Sequence, residues 1–185
     1  LPWKDLGIDI VVEATGLFAS YEKAKAHLDA GAKRVVITAP VKDEAASSGI
    51  EGATVLIGIN EDKLQTCTIT SNASCTTNAS SPIIQILHES IGIEKALLNT
   101  THAYTASQAL VDGPAKHGKD NFREGRAAAH NIVPSSTGAA IAVTKAVTDL
   151  EGKFDGISLR VPVIAGSIAD LTFVSKRDTS VEEVN

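Results

Sequence analysis

Residues 8–38, IDIVVEATGLFASYEKAKAHLDAGAKRVVIT, decide how the chain folds. The run Ile8 to Val12 is short, apolar and β-branched, which suits a strand buried on both faces. Thr15-Gly16 then turns the chain. Tyr21 to Ala30 sets Ala24 and Leu28 on one face and Lys/Glu on the other, with Gly31 where a helix C-terminal glycine belongs. Val35 to Thr38 is the next strand. Strand, helix and strand with short connections predict a mostly parallel sheet, an architecture that binds nucleotides at the carboxyl ends of its strands. Thr15, Gly16 and Thr38 follow those ends, where a cofactor would lie, although turn chemistry accounts for them equally well. The glycine-rich fingerprint of such folds is missing from the chain.

Beyond this unit, Asp43 to Gly52 reads as a loop, and Thr54 to Ile59 and Thr68 to Thr70 as short strands. A helix is expected from about Ser81 to Ser90, with Pro82 in its first turn and Gly92 after its end. Lys95 to Thr101 is a strand. Ala106 to Asn131 is a long connection made basic by Lys116, Lys119, Arg123 and Arg126. Thr137-Gly138 opens a further helix, with Ser135 or Ser136 available as its cap. Ile157 to Ile164 and Ile168 to Val174 are expected to be antiparallel neighbours joined through Ala165-Gly166-Ser167.

The composition narrows the function classes. At 185 residues, 43% hydrophobic and 21% charged, the chain is globular in character, and a net charge of -5 argues against a general nucleic-acid binder. No apolar run approaches the roughly 18 residues a membrane span needs, so a soluble protein is expected. The chain has no Met and opens Leu1-Pro2-Trp3-Lys4, so a fragment or processed piece is expected. Cys67 and Cys75 lack metal-ligand spacing, which predicts no metal site and a reducing compartment.

Ser71-Asn72-Ala73-Ser74-Cys75-Thr76-Thr77-Asn78 places a thiol among hydroxyls and amides between a strand and a helix. If the helix starts at Cys75, with Pro82 kinking it, free N–H groups and the positive dipole end there stabilise a thiolate; if it starts at Ser81, Cys75 lies in the preceding turn, and a small core thiol beside capping hydroxyls is the bland alternative. His102, just after a strand, could take the thiol proton; a structural histidine is the bland alternative. Ser135-Ser136-Thr137-Gly138 offers hydroxyls and N–H groups for an anion or simply a cap. Arg160, the only cation in its strand, is either an inward phosphate clamp or an edge charge.

Taken in order, Val12 to Gly16, Val35 to Pro40, Ser71 to Asn78, His102 to Thr105, Pro134 to Ala140 and Arg160-Val161-Pro162 resemble the phosphorylating glyceraldehyde-3-phosphate dehydrogenase family. The resemblance covers essentially the whole chain. It implies an α/β fold: the C-terminal part of a Rossmann-type NAD-binding domain (residues 1–73), followed by an incomplete α+β catalytic domain with a mixed or antiparallel sheet (residues 74–185). It implies an NAD-dependent oxidoreductase of glycolysis and gluconeogenesis, with NADP not excluded, in a cytoplasmic homotetramer. Cys75 would attack the aldehyde and His102 take the proton. Ser74, Thr76, Thr137 and Gly138 would hold inorganic phosphate, and Thr105 and Arg160 the substrate's own phosphate. Thr15, Gly16 and Thr38 would border the cofactor. The family's frequent second cysteine is Ala79 here. The alternatives weighed are a related erythrose-4-phosphate dehydrogenase and an inactive truncated binding fragment.

Overall fold

A computed structural model describes residues 1–114 and 121–185; Lys116 and Lys119 lie outside the described residues. The chain forms two compact units, Leu1–Glu89 with Ala142–Asp149, and Ser90–Ile141 with Leu150–Asn185. This partition by compactness differs from the division at residue 73 that the resemblance implies.

The first unit carries strands β1 (Ile10–Glu13), β2 (Arg34–Ile37), β3 (Gly52–Thr54) and β4 (Ile69–Ser71), with helices α1 (Tyr21–Asp29) and α2 (Cys75–Ser90, its last residue excepted). All three strand pairings are parallel, in the order β1-β2-β4-β3, as the opening strand-helix-strand pattern predicts. Ser20 caps α1 by accepting the Lys23 N–H, and Asp43 accepts the N–H groups of Tyr21 and Glu22 at 3.1 Å each. Ala30 closes the helix, and Gly31 follows at φ +108°, where a Cβ would lie 2.6 Å from the Lys4 Cβ. Val35, Ile37, Ile69, Tyr21 and Ala24 form the core, each buried Ile contributing roughly 2–3 kcal/mol. β1 is an edge strand with one face open, Ile10 and Val12 being more than half exposed, which corrects the expectation of a strand buried on both faces.

Two further expectations for this unit are corrected. The strand over Thr54 to Ile59 stops at Thr54, because the Asn60 side chain takes the strand's place: its amide donates to the Thr54 carbonyl and its oxygen accepts the Leu56 N–H, both at 2.9 Å. The helix expected from Ser81 starts six residues earlier, at Cys75, so Pro82 lies inside α2. Proline's preference for the first turn of a helix misplaces that boundary. Here the first turn is fixed by side-chain caps upstream.

The second unit is built on β5 (Ile93–Ala103), β6 (Val133–Ser136), β7 (Phe154–Val161) and β8 (Ser167–Ser175), in the order β6-β7-β5-β8. It also holds the first three residues of α3 (Ala139–Ala146) and the short helix α4 (Val181–Val184). β5 pairs in parallel with β7 and antiparallel with β8, and β6 pairs antiparallel with β7, a mixed sheet. β7 and β8 are therefore not neighbours, contrary to the hairpin expectation; β5 lies between them. Ser135 and Ser136 belong to β6 rather than capping the helix, and Thr137 Oγ1 instead accepts the Ala139 N–H at 3.1 Å. β7 is an inner strand, which rules out reading Arg160 as an edge charge.

The register puts Ala96, Leu98 and Thr100 of β5 on one face with Phe154, Gly156 and Ser158 of β7, and this face is largely buried. A Cβ on Gly156 would meet the Leu98 carbonyl at 2.7 Å. The opposite face exposes Leu97, Ile157, Ile168 and Val174.

Candidate active site

The stretch from Ser71 to Asn78 forms the turn from β4 into α2, and nearly every residue in it has a geometric task. Ser71, fully buried, donates from Oγ to the Ala39 carbonyl at 2.7 Å and accepts the Ala73 N–H at 3.1 Å. Ala73 stands at φ +55°, alone among the described non-glycine residues in being left-handed. That conformation costs an alanine about 1–2 kcal/mol and persists only where neighbouring bonds over-determine it.

Ser74 is the cap of α2: its Oγ accepts the Thr77 N–H at 3.2 Å and lies 2.8 Å from the Thr77 hydroxyl, while its carbonyl accepts the Asn78 N–H at 3.0 Å. The Asn78 side-chain amide donates to the carbonyls of Asn72 at 2.7 Å and Ser74 at 2.9 Å, clamping the turn from the helix side. Held between them, Cys75 begins the helix and is exposed, whereas Cys67 is buried. The Cys75 Sγ lies 4.0 Å from the Thr76 hydroxyl. A thiol at the first position of a sixteen-residue helix meets the positive end of its dipole, where an anion is favoured.

Thr15, Gly16 and Thr38 lie exposed at the carboxyl ends of β1 and β2 in the same unit. Gly16 has φ +77°, which favours glycine, and nothing would crowd a Cβ there. The N–H and O–H donors of Thr15 and Thr38 are spent on Glu13, so these residues offer a dinucleotide hydroxyl oxygens as acceptors and, at Gly16, backbone without a side chain, at strand ends where such a cofactor fits. Among the described residues, no group of three or more His, Cys, Asp or Glu could hold a metal ion.

The second unit places His102 at the end of β5 and Arg160 beside it on β7, as register partners. One guanidinium nitrogen of Arg160 lies 2.6 Å from His102 Nδ1 and donates to the Ala103 carbonyl at 3.2 Å. His102 Nδ1 also lies 2.7 Å from that carbonyl. The two contacts of Nδ1 exclude one another: it accepts from Arg160 or donates to Ala103. Only the second tautomer leaves Nε2 with the lone pair a general base needs.

Thr105 is half-buried, its hydroxyl 3.1 Å from that of Ser107 and its N–H bonded to the Gln108 side-chain oxygen at 3.2 Å. Thr137 and Gly138 precede α3, and the Cβ position of Gly138 is open space. The structure thus brings Ser74, Cys75 and Thr76 together at one helix start and pairs His102 with Arg160 on adjacent strands. The tasks of Ala73 and Asn78 escaped the sequence reading: an alanine does not announce a positive φ, though an Asn four residues after a capping Ser is a signal for such a clamp.

Residues 74–185 match the family described as glyceraldehyde 3-phosphate dehydrogenase, C-terminal domain. The chain belongs to the glyceraldehyde 3-phosphate dehydrogenase family. It is 51% identical to a glyceraldehyde-3-phosphate dehydrogenase of Mycobacterium avium, over all of this chain and 52% of that protein. Identity is 50% to the protein of that name from Mycolicibacterium smegmatis, again over all of this chain and 52% of the relative. A glyceraldehyde-3-phosphate dehydrogenase 1 of Streptomyces avermitilis is 47% identical with the same coverage. The chain spans about half the length of these relatives. Family membership agrees with the resemblance carried by Ser71 to Asn78 and with the α/β architecture of both sheets.

Proposed function

We propose that the protein is a phosphorylating glyceraldehyde-3-phosphate dehydrogenase of glycolysis and gluconeogenesis. It oxidises glyceraldehyde 3-phosphate with NAD and inorganic phosphate to 1,3-bisphosphoglycerate and NADH. The observation that carries this reading is the exposed Cys75 at the capped start of α2, inside the stretch on which the family resemblance is strongest.

In this reading the Cys75 thiolate adds to the aldehyde carbon, giving a thiohemiacetal, and His102 takes the hydroxyl proton as the carbon is oxidised. A bound nicotinamide supplies the acceptor for the departing hydride. The resulting Cys75 thioester is activated toward phosphate, whose attack releases the acyl phosphate and restores the thiolate. His102 acts as base through Nε2, with Nδ1–H donated to the Ala103 carbonyl. Arg160 and Thr105 hold the substrate's phosphate, and an arginine fork matches a phosphate's oxygens. Ser74, Thr76, Thr137 and Gly138 receive the attacking phosphate. Thr15, Gly16 and Thr38 border the coenzyme.

The same reading makes the protein a cytoplasmic homotetramer whose dinucleotide-binding and catalytic domains divide after residue 73. The exposed apolar face with Leu97, Ile157, Ile168 and Val174 supports assembly through the second sheet. No described helix is long and apolar enough to cross a membrane.

The test uses the full-length protein. Iodoacetamide is expected to label Cys75 much faster than Cys67, and Cys75→Ser to abolish phosphate-dependent NADH formation at 340 nm. Equal labelling of the two thiols, or turnover retained in Cys75→Ser, refutes the reading. Faster turnover of erythrose 4-phosphate than of glyceraldehyde 3-phosphate would reassign the substrate.

A further inference from the structure

Two buried titratable groups of the first unit have no part in this chemistry. Glu13, 3% exposed, ends β1, and His27, 4% exposed, lies on α1. His27 Nε2 lies 3.0 Å from Glu13 Oε2. On its other side, the indole N–H of Trp3 lies 3.1 Å from His27 Nδ1. An indole nitrogen only donates, so Nδ1 accepts, and the ring's own proton sits on Nε2 and is donated to Glu13. Phe18 and Trp3 flank the ring at 5.0 and 6.1 Å between centroids. The tautomer is fixed from one side and spent on the other.

The second carboxylate oxygen of Glu13 is also taken. It accepts the Thr15 N–H at 2.7 Å and the Thr15 hydroxyl in a shorter bond. That hydroxyl in turn accepts the Leu17 N–H at 3.1 Å, closing the turn around Gly16. The Glu13 backbone carbonyl accepts both the N–H and the hydroxyl of Thr38, at 3.0 and 3.1 Å. One residue thus ties down Thr15 through its side chain and Thr38 through its main chain. A buried carboxylate that holds one turn with one oxygen and is itself held by His27 through the other is an expensive way to close that turn, since simple turn chemistry needs no charge.

We infer that Glu13 and His27 are positioning residues for the coenzyme: the Trp3–His27–Glu13 chain fixes the Thr15–Gly16 turn, beside Thr38 held by the Glu13 main chain, in the arrangement that receives the dinucleotide. This rests on the reading that Thr15, Gly16 and Thr38 border NAD. Both side chains are buried, so they act through Thr15 rather than on the coenzyme directly.

Glu13→Gln is nearly isosteric but turns one acceptor into an amide that faces the His27 N–H, and Trp3 forbids the compensating tautomer. In the full-length protein this variant is expected to raise the Kd for NAD, measured by calorimetry, about tenfold, the scale of one lost charge-assisted hydrogen bond. The KM for aldehyde and for phosphate, and the alkylation rate of Cys75 without coenzyme, should stay within about twofold, which a general loosening of the fold would not allow. Hydrogen exchange at the Thr15 amide should accelerate in the variant without coenzyme present. Trp3→Phe keeps the ring packing but removes the donor that fixes the tautomer; it should raise the Kd for NAD by a smaller factor of about three, and it decides the matter if Glu13→Gln does not fold. Wild-type NAD affinity in the folded variants, or unchanged exchange at Thr15, overturns the inference. Absence of NAD binding by the wild-type protein instead overturns the coenzyme reading itself, and Thr15 exchange still reports whether Glu13 holds the turn.

Discussion

Replacing Ser74 by Ala removes the cap of the helix that presents Cys75, and the cost follows from its two side-chain contacts. Loss of the bond from the Thr77 N–H to Ser74 Oγ leaves a first-turn donor without its cap, worth about 1 kcal/mol for a Ser-to-Ala cap change. The same substitution strips the Thr77 hydroxyl of its 2.8 Å partner, and Thr77 is fully buried, which adds about 1 kcal/mol for an unsatisfied hydroxyl. Ser74→Ala should therefore cost about 2 kcal/mol in equilibrium urea unfolding of the full-length protein. The two contributions separate in a double-mutant cycle with Thr77→Val, which leaves no buried hydroxyl to orphan. In that background Ser74→Ala should cost only about 1 kcal/mol, a coupling of the size that contacting residues show. A loss below about 0.5 kcal/mol, or the same loss in both backgrounds, refutes the assignment of Ser74 as cap and partner.

Three further outcomes are expected. Gly31→Ala forces a Cβ to 2.6 Å from the Lys4 Cβ in a left-handed residue, so its unfolding free energy should fall by about 2 kcal/mol or more; an unchanged thermal midpoint contradicts the geometry. Burial of Tyr21 pushes its phenol from 10.0 up to about 12, so the unfolded chain ionises first as pH rises; this contribution vanishes below pH 10 and costs stability progressively to about pH 12, to a total of roughly 3 kcal/mol. Tyr21→Phe should remove that alkaline loss, and phenolate absorbance at 295 nm reports the titration directly. Leu97→Asp with Ile157→Asp puts charges on the exposed face of the second sheet and should reduce the mass measured by light scattering below that of a tetramer; an unaltered tetramer places the interface elsewhere.

The first sheet was legible because its strands announce themselves locally: Ile8 to Val12 and Val35 to Thr38 are β-branched runs, and Gly31 marks the helix end between them. What escaped were outcomes decided by side chains reaching across sequence. Asn60 ends a strand that its apolar neighbours would continue, and Ser74 with Asn78 starts a helix that Pro82 would delay. The order of the second sheet was hidden for another reason: β7 and β8 join through a short connection, which locally suggests a hairpin, but the long β5 inserts between them. At the candidate site, Cys75 stood out by its neighbours. The juxtaposition of His102 with Arg160 did not, because it is a matter of strand register, and neither did the contact of Glu13 with His27, which lies across the first unit's fold.

The edge position of β1 has a practical meaning for anyone handling the 185-residue chain by itself. Its outer rim offers unpaired backbone donors and acceptors flanked by the exposed Ile10 and Val12, which is a template for adding another strand. At high concentration two copies can meet rim to rim and extend the sheet between molecules. Preventing sheet growth along this strand therefore depends on shielding that margin, whether by further chain, by a charged substitution at Val12, or by dilution.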